Sequence, residues 1–560
     1  MKKTFKKVLY TTGALLCTAA FALPAVACGE KVDNSENTLE IFVVNAGYGT
    51  QWLTDLIAEF KEQDWVKEKY PQLNIPEPKG NTVSDYIPSK ITAGGKANTI
   101  DLFFSCQSIA NKYVTGGQYF ENLYQDVYNS TVPNETVKVK DKMNAQIYQE
   151  EAFVSEEQAE EKNTQPVYYA MPWLNGMMGI MYNATRIKQY LGEDYVMPRT
   201  TDELIQCTAD LKAADGFPED DAPWIFGNGN RYFNAPFIVW WSQYEGKDQY
   251  LNYWAGQDED KNFTNANFAQ TGRLRALEVY EDLINRPLGN NHKYCTTKGT
   301  FESQRFFVTG RAGIFMPIGD WLMTETVATE AETQEIRMLK MPVISSVVET
   351  LSFWAEEEGV VYDSLSATAK KAYDSKLACI AQCVDEGKTY EQAKEVFAAN
   401  GYGELNKKDF NKINEARNMM YRMTGHEAFI PSYATGKAIA KDFLRFMATD
   451  IGIQTFMDAT KGTLTPYNYE VAGETLATYY PMQQDHYKYM KTVTSLPPET
   501  TFRLYYLGGV NQMTKWPSLE EAFSAQNASS RKSALEIYNE DVEEWTTSKF
   551  NIALKKAGLI

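Results

Sequence analysis

Side chains suited to covalent chemistry are present in this sequence, but they lack the spacing such chemistry requires. No Gly-x-Ser-x-Gly elbow occurs to activate a serine. The three histidines, His292, His426 and His486, do not fall at metal-ligand spacing. Gly387-Lys388-Thr389 ends like a phosphate-cradling loop, but Gln382 stands where that loop needs its first glycine. Asp258, Asp260 and Asn262 open like a calcium loop, yet Phe263 takes the glycine position and Ala269 the position of the closing glutamate. Cys379 and Cys383 lie four apart on one face of a helical stretch, with no His or Cys partner nearby, and read as buried thiols. Neither a metal site nor a cofactor is expected.

Aromatic surface, in contrast, is abundant. Aromatic residues make up 13% of the chain, with 35 Tyr and 11 Trp. Tyr and Trp offer a flat apolar face and a polar handle, which suits cores and stacking clefts alike. The count therefore does not decide, and position must. Tyr48 sits between Gly47 and Gly49. Trp173 follows Pro172, with Asn175 two residues on. Asp320 and Trp321 follow Gly319, and Tyr433 follows Pro431-Ser432. Residues 222–246 are dense in rings: Trp224, Phe226, Tyr232, Phe233, Phe237, Trp240, Trp241 and Tyr244. Adjacent residues in regular structure point in different directions, so one of Trp240 and Trp241 is available to a cleft; Trp240 is named here for that role.

The elements that would position these side chains are legible from apolar patterning. LEIFVV at 39–44 reads as a buried parallel strand, followed by a glycine turn. Trp52, Leu53, Leu56, Ile57 and Phe60 then mark one face of a helix. A second strand, IDLFF at 100–104, stops at Ser105-Cys106-Gln107-Ser108. Ligands of open α/β sheets sit just beyond the carboxyl ends of such strands, so both loops are candidate cleft edges. MMGIMY at 177–182 reads as another strand. Thr201 is a plausible N-cap for the helix that carries Leu204. Residues 310–323 read as strand, turn and helix start. Residues 134–163 are polar and acid-rich and read as a surface excursion. Residues 346–425 turn rich in Glu, Lys and Ala with helical spacing, and read as a helical insertion. Residues 438–461 carry Ile439, Phe443, Phe446, Met447, Ile451, Phe456 and Met457 on a long amphipathic helix or pair.

Length and charge bound the rest. A chain of 560 residues exceeds what one core supports, so two or more lobes are expected. Met1–Lys7 is basic, residues 8–22 are apolar, and small residues follow at Ala25 and Ala27, which is the pattern of a secretory leader. The net charge of −18 becomes −22 without Lys2, Lys3, Lys6 and Lys7 of that leader. Such a chain lacks the basic patches that nucleic acid or a polybasic grip on anionic lipid requires. Cys106, Cys207, Cys295, Cys379 and Cys383 are too few and too scattered for a disulfide framework.

Ala25-Val26-Ala27-Cys28-Gly29 resembles the lipobox of bacterial lipoproteins, with Ala25 where Leu is usual. The resemblance implies that Cys28 is acylated and becomes the N-terminus; ordinary signal cleavage near Ala27 is the other reading. The larger pattern resembles the extracellular solute-binding proteins of ABC importers, the family that includes maltose-binding protein. It rests on the Cys28 anchor followed by LEIFVV and a helix, on YAMPWLNGMMGIMYN at 169–183, and on Phe306–Trp321. The last stretch is 430–467, where a helix is followed by GTLTP. The resemblance implies an α/β fold of two periplasmic-binding-protein-like lobes, a hinge of crossing strands and an interlobe cleft. On that pattern residues 1–27 are leader and 28–37 a lipidated tether. Residues 38–168 plus 428–468 form the N-lobe. Residues 169–427 plus 469–560 form the C-lobe, with the insertion at 346–425. The chain then crosses near Tyr169, Ala428 and Asn468. It implies a monomer, held at the outer face of the cell membrane by lipid alone, that delivers a sugar or oligosaccharide to the transmembrane subunits of an ABC permease.

A sugar offers apolar C–H faces and a rim of hydroxyls, so its cleft needs aromatic platforms with hydrogen-bonding side chains around them. The candidates are Tyr48, Gln107, Ser108, Trp173, Asn175, Trp240, Asp320, Trp321 and Tyr433. Each has a structural alternative. Trp173 packs a hinge, Asn175 serves a turn, Asp320 caps a helix, and Gln107 and Ser108 cap another. Trp52 belongs to the core stripe. Two other functions compete. The same fold binds peptides, polyamines or metal chelates, and a secreted glycoside hydrolase needs only a carboxylate pair, which 73 acidic residues supply by chance. A surface adhesin would show repeats or a stalk, and the sequence has neither.

Overall fold

The apolar run that begins at Leu39 forms β1 (Ile41–Val44), a strand with every residue buried. It pairs in parallel with β2 (Lys79–Asn81) and β3 (Leu102–Phe104). Beside it, Trp52, Leu53, Leu56, Ile57 and Phe60 bury one face of the helix Gln51–Glu62. The computed structural model describes residues 37–560 except 46, 82–85, 97, 107–118, 220, 228–231, 285–298, 327–333, 356–358, 424–425, 516–522 and 524–531. The leader, Cys28, Gln107 and Ser108 therefore lie outside the described residues, as does the tether up to residue 36.

The chain reaches the far edge of this sheet at β4 (Met171–Pro172) and then leaves it. It enters a second sheet at β5 (Gly176–Asn183). β6 (Phe315–Gly319) pairs antiparallel along one edge of β5, while β7 (Ile336–Leu339) and β8 (Met419–Met423) share the other. β9 (Glu427–Phe429) returns to the first sheet, antiparallel to both β3 and β4. β10 (Thr494–Leu496) completes the second sheet, parallel to β8. The first sheet runs β2-β1-β3-β9-β4, and the second runs β10-β8-β5-β6. The molecule is thus an α/β protein of two sheet-centred lobes joined by crossing segments.

Those crossings are bonded to one another. The Trp173 backbone N–H donates to His426 O, and that of Asn175 donates to Leu464 O at 2.7 Å. The segments 173–175, 426 and 464 therefore meet at one place. The first passage lies between β4 and β5, a few residues after Tyr169, and the second between β8 and β9, just before Ala428.

Several local expectations need correction. Residues 134–163 are not a mere surface excursion: Val139 and Ile147, on short helices, and Met143, which caps the first of them, are buried. The helix that begins at Thr201 is capped by Thr200, whose hydroxyl accepts from the Glu203 N–H. The amphipathic stretch at 438–461 is a helix pair, Lys437–Phe446 and Asp450–Ala459, and Ile451 is 50% exposed because it falls in the first turn on the outer face. The helical region 346–425 ends early. Its helices Ala367–Asp385, Tyr390–Ala399 and Lys407–Asn418 run directly into β8, an internal strand of the second sheet. Arg417 ties this region to the lobe, donating to Asp385 at 2.8 Å and to the backbone carbonyl of Met341 at 2.8 Å. That partnership, opposed by burial, leaves Asp385 below the usual carboxylate range.

The second lobe is the larger one, and its core carries most of the rings of residues 222–246. Its C-terminal segment is pinned by Arg273, which is fully buried and bonds Asp541 and Gln512 O at 2.6 Å each. The guanidinium also lies 5.2 Å from the centre of the Tyr253 ring. No helix among the described residues is long and apolar enough to cross a membrane.

Candidate functional site

A cavity of about 340 Å³ is lined by Tyr48, Cys106, Trp321, His426 and Glu499, which follow β1, β3, β6, β8 and β10, together with Tyr421 of β8, Tyr232 and Glu325. Residues from both lobes form its walls. This is the crevice beyond strand ends that an open α/β sheet offers a ligand.

Trp321 lines the wall of this cavity and is only 3% exposed. Its ring lies over Gly319: a Cβ there would fall 1.6 Å from Trp321 Cζ3, so only glycine admits the ring in this position. Gly47, with φ of +37°, brings the opposite lobe within contact, and a Cβ on it would meet Trp321 Cβ at 2.9 Å. Tyr232 meets Trp321 edge-on at 5.1 Å, and Tyr48 does so at 6.3 Å.

Flanking glycines leave the Tyr48 ring uncrowded by its chain neighbours, but they do not expose it. It lines the cavity but is only 3% exposed, because its hydroxyl reaches across the lobes to Asp320 Oδ1 at 2.5 Å. Burial, with the Asp320 carboxylate beside it, holds the phenol well above its ordinary pKa. Asp320 is itself fully buried. Its Oδ2 lies 3.3 Å from His486 Nδ1, and its backbone carbonyl accepts from Gln483 Nε2 at 2.6 Å. In this arrangement Asp320 anchors Tyr48 and does not line the cavity.

The remaining candidates separate by position. Trp173 does not line the cavity. It stacks on Trp52 with ring centres 4.6 Å apart, and its indole donates to Ser105 O at 3.1 Å. The rings form a hinge-packing column beneath His426. Asn175 faces a different cavity of about 410 Å³, formed by Asn144, residues 464–470 and Tyr487 on the third crossing. Trp240 is enclosed in the core of the second lobe, with its indole N–H on Pro342 O at 3.2 Å, and offers no face to a ligand here. Trp241 is equally buried and bonds Gln270 at 2.7 Å, so neither of the pair reaches the cleft. The cause is the helix Asn234–Glu245, which is buried nearly all round. Tyr433 is half-buried against Gly95, and its hydroxyl donates to Asn98 Oδ1 at 2.7 Å, away from the cavity.

Sequence reasoning missed the residues that complete the site. Tyr232 lay within the aromatic-dense segment, just before the helix that hides its neighbours. His426 sits at the second crossing and is packed edge-on against Tyr48 and Trp173 at 5.4 and 5.0 Å. Burial pushes its pKa down to about 3, so the imidazole is neutral, and its Nδ1 has no hydrogen-bond partner. Tyr421 on β8 donates to Glu499 Oε2 at 2.6 Å. Glu325 accepts from Gln304 Nε2 at 2.7 Å, and the Gly47 N–H and the Trp321 indole nearby favour its charged form. Burial outweighs these donors and raises its pKa. Among the described residues no group of three or more His, Cys, Asp and Glu side chains is placed to hold a metal ion.

No family profile matches the sequence, and no curated protein matches it. Solved structures do. The chain is similar to a probable secreted solute-binding lipoprotein from Streptomyces coelicolor, at 11% identity and a TM-score of 0.55, over 92% of this chain and 99% of that one. It is similar to apo RafE from Streptococcus pneumoniae, at 13% identity and a TM-score of 0.53, with the same coverage of 92% and 99%. It is also similar to maltose-bound MalE3 from T. maritima, at 13% identity and a TM-score of 0.51, over 93% and 100%. The two-lobed solute-binding-protein fold extends over nearly the whole of each chain.

Proposed function

We propose that this chain captures a carbohydrate, as an extracellular substrate-binding protein of an ABC importer, and passes it to the membrane permease. The observation that carries the reading is the interlobe cavity itself. It pairs the apolar rings of Tyr48, Tyr232 and Trp321 with the polar groups of Glu325, His426 and Glu499, which is the mixture a sugar's faces and hydroxyls require. Its walls come from both lobes, so a ligand that touches both favours closure, and closure is the signal a permease can read. Solved neighbours that bind raffinose and maltose support the sugar class. The lipobox-like Ala25–Cys28 supports anchoring through Cys28 at the outer membrane face, with the polar residues 29–37 as tether. On this reading the chain is a binder and not an enzyme, and it works as a monomer.

A thermal-shift screen of residues 29–560 against mono- and oligosaccharides, peptides and polyamines tests the proposal. A ligand that binds only the folded chain stabilises it by about 2.7 kcal/mol at a hundredfold excess over its dissociation constant. A saccharide shift that is lost in Trp321→Ala supports the reading. Shifts confined to peptides overturn it.

A further inference from the structure

The cavity's charge is as distinctive as its rings. Glu325 lines the cavity, and the donor that bonds it, Gln304, is neutral, as are the nearby Gly47 N–H and Trp321 indole. No cationic side chain pairs with it among the described residues. A second carboxylate, Glu499, only 9% exposed, lines the same cavity. So do the rings of Tyr48, Tyr232 and Trp321, and aromatic rings attract cations. Independently, His426 is 3% exposed, lines the same cavity and leaves Nδ1 without a partner. A buried polar atom at a cavity wall with no protein partner marks a place that a ligand's polar group fills.

We infer, on the basis of the carbohydrate reading above, that the saccharide taken by this cleft carries a protonated amine. The amine sits against Glu325 and the ring faces, and a neighbouring ligand hydroxyl bonds His426. A neutral sugar leaves the Glu325 charge uncompensated on closure. A uronate or sugar phosphate adds like charge beside two carboxylates and is rejected.

The test is a calorimetric titration at about pH 6 with glucosamine oligomers, their N-acetylated counterparts, maltose, oligogalacturonate and spermidine. It is run on the wild-type chain from residue 29 and on E325Q. Glucosamine oligomers should bind about tenfold more tightly than the N-acetylated series, and E325Q should remove that preference. Oligogalacturonate should not bind. The melting temperature of unliganded E325Q, expected to match or exceed wild type because a buried charge is removed, separates loss of the contact from loss of the fold. Equal affinity for amino and neutral sugars, unchanged in E325Q, overturns the inference and leaves the carbohydrate reading intact. Binding of spermidine without any saccharide overturns both, as does binding of none of these probes.

Discussion

Removing the Tyr48 hydroxyl isolates one of the bonds that link the two lobes. Tyr48→Phe keeps the ring and therefore its edge contacts with Trp173, Trp321 and His426. It deletes only the donor that sits 2.5 Å from Asp320 Oδ1. Asp320 is fully buried, and its side chain retains only His486, at 3.3 Å from the other oxygen. A hydrogen bond to a charged group contributes about 1.5–3 kcal/mol, and stranding a buried carboxylate costs toward the upper end of that range. The expected loss in urea-unfolding free energy is therefore about 2–3 kcal/mol at neutral pH, with an unchanged m-value. Asp320→Asn keeps an acceptor but removes the charge, and the double variant should lose less than the two single losses combined. The pH dependence follows from the raised phenol pKa. The folded state favours neutral Tyr48, so its contribution is fully present below the ordinary tyrosine range near 10 and is lost as pH rises toward the folded value. A Tyr48→Phe chain should therefore lose less stability than wild type above about pH 10. A change under about 0.5 kcal/mol at neutral pH would refute the reasoning, because it would mean that the interlobe bond is not formed in solution.

Other consequences are equally direct. His426 is neutral when folded, with burial holding its pKa at about 3 against an ordinary 6.5, so protons favour the unfolded chain as pH falls from about 6.5 toward 3. The loss is on the order of 5 kcal/mol at most, and His426→Gln should flatten the acid limb of a stability-against-pH curve. Asp541→Ala strands the buried Arg273 guanidinium and should cost about 3–5 kcal/mol in chemical denaturation. Gly47→Ala forces a side chain onto Trp321 at a positive φ, and should weaken ligand binding measured by intrinsic fluorescence more than it lowers the melting temperature.

The elements most visible in the sequence were those where one pattern has one physical meaning. LEIFVV alternates with nothing and is buried on both faces, so it forms β1. The stripe from Trp52 to Phe60 has helical period and forms a helix with that face inward. Gly319-Asp320-Trp321 was legible as a strand end, and Trp321 does line the cavity. What stayed hidden depends on contacts distant in the chain. Trp173 looks like a ligand platform until Trp52, more than a hundred residues away, is stacked on it. Trp240 and Trp241 look available until the whole helix around them is buried. Glu325, Tyr421 and Glu499 carry no local signal, since a carboxylate or phenol becomes a cleft residue only when strands from different parts of the chain bring it there. The insertion boundary failed for a related reason: β8 is short, and its sheet partners lie far away in sequence.

The central claim is that the interlobe cavity closes on a saccharide through Trp321 and Tyr232. Small-angle X-ray scattering of the chain from residue 29, titrated with the saccharide that gives the largest thermal shift, tests it most directly. The account predicts a saturable compaction at one ligand per chain that is absent in Trp321→Ala and reduced in Tyr232→Ala, while both variants stay folded at the assay temperature even though truncating the buried Trp321 lowers the unfolding midpoint. An undiminished compaction in both variants would place the ligand elsewhere, and slow cleavage of the glycan in the same sample would make the protein a hydrolase.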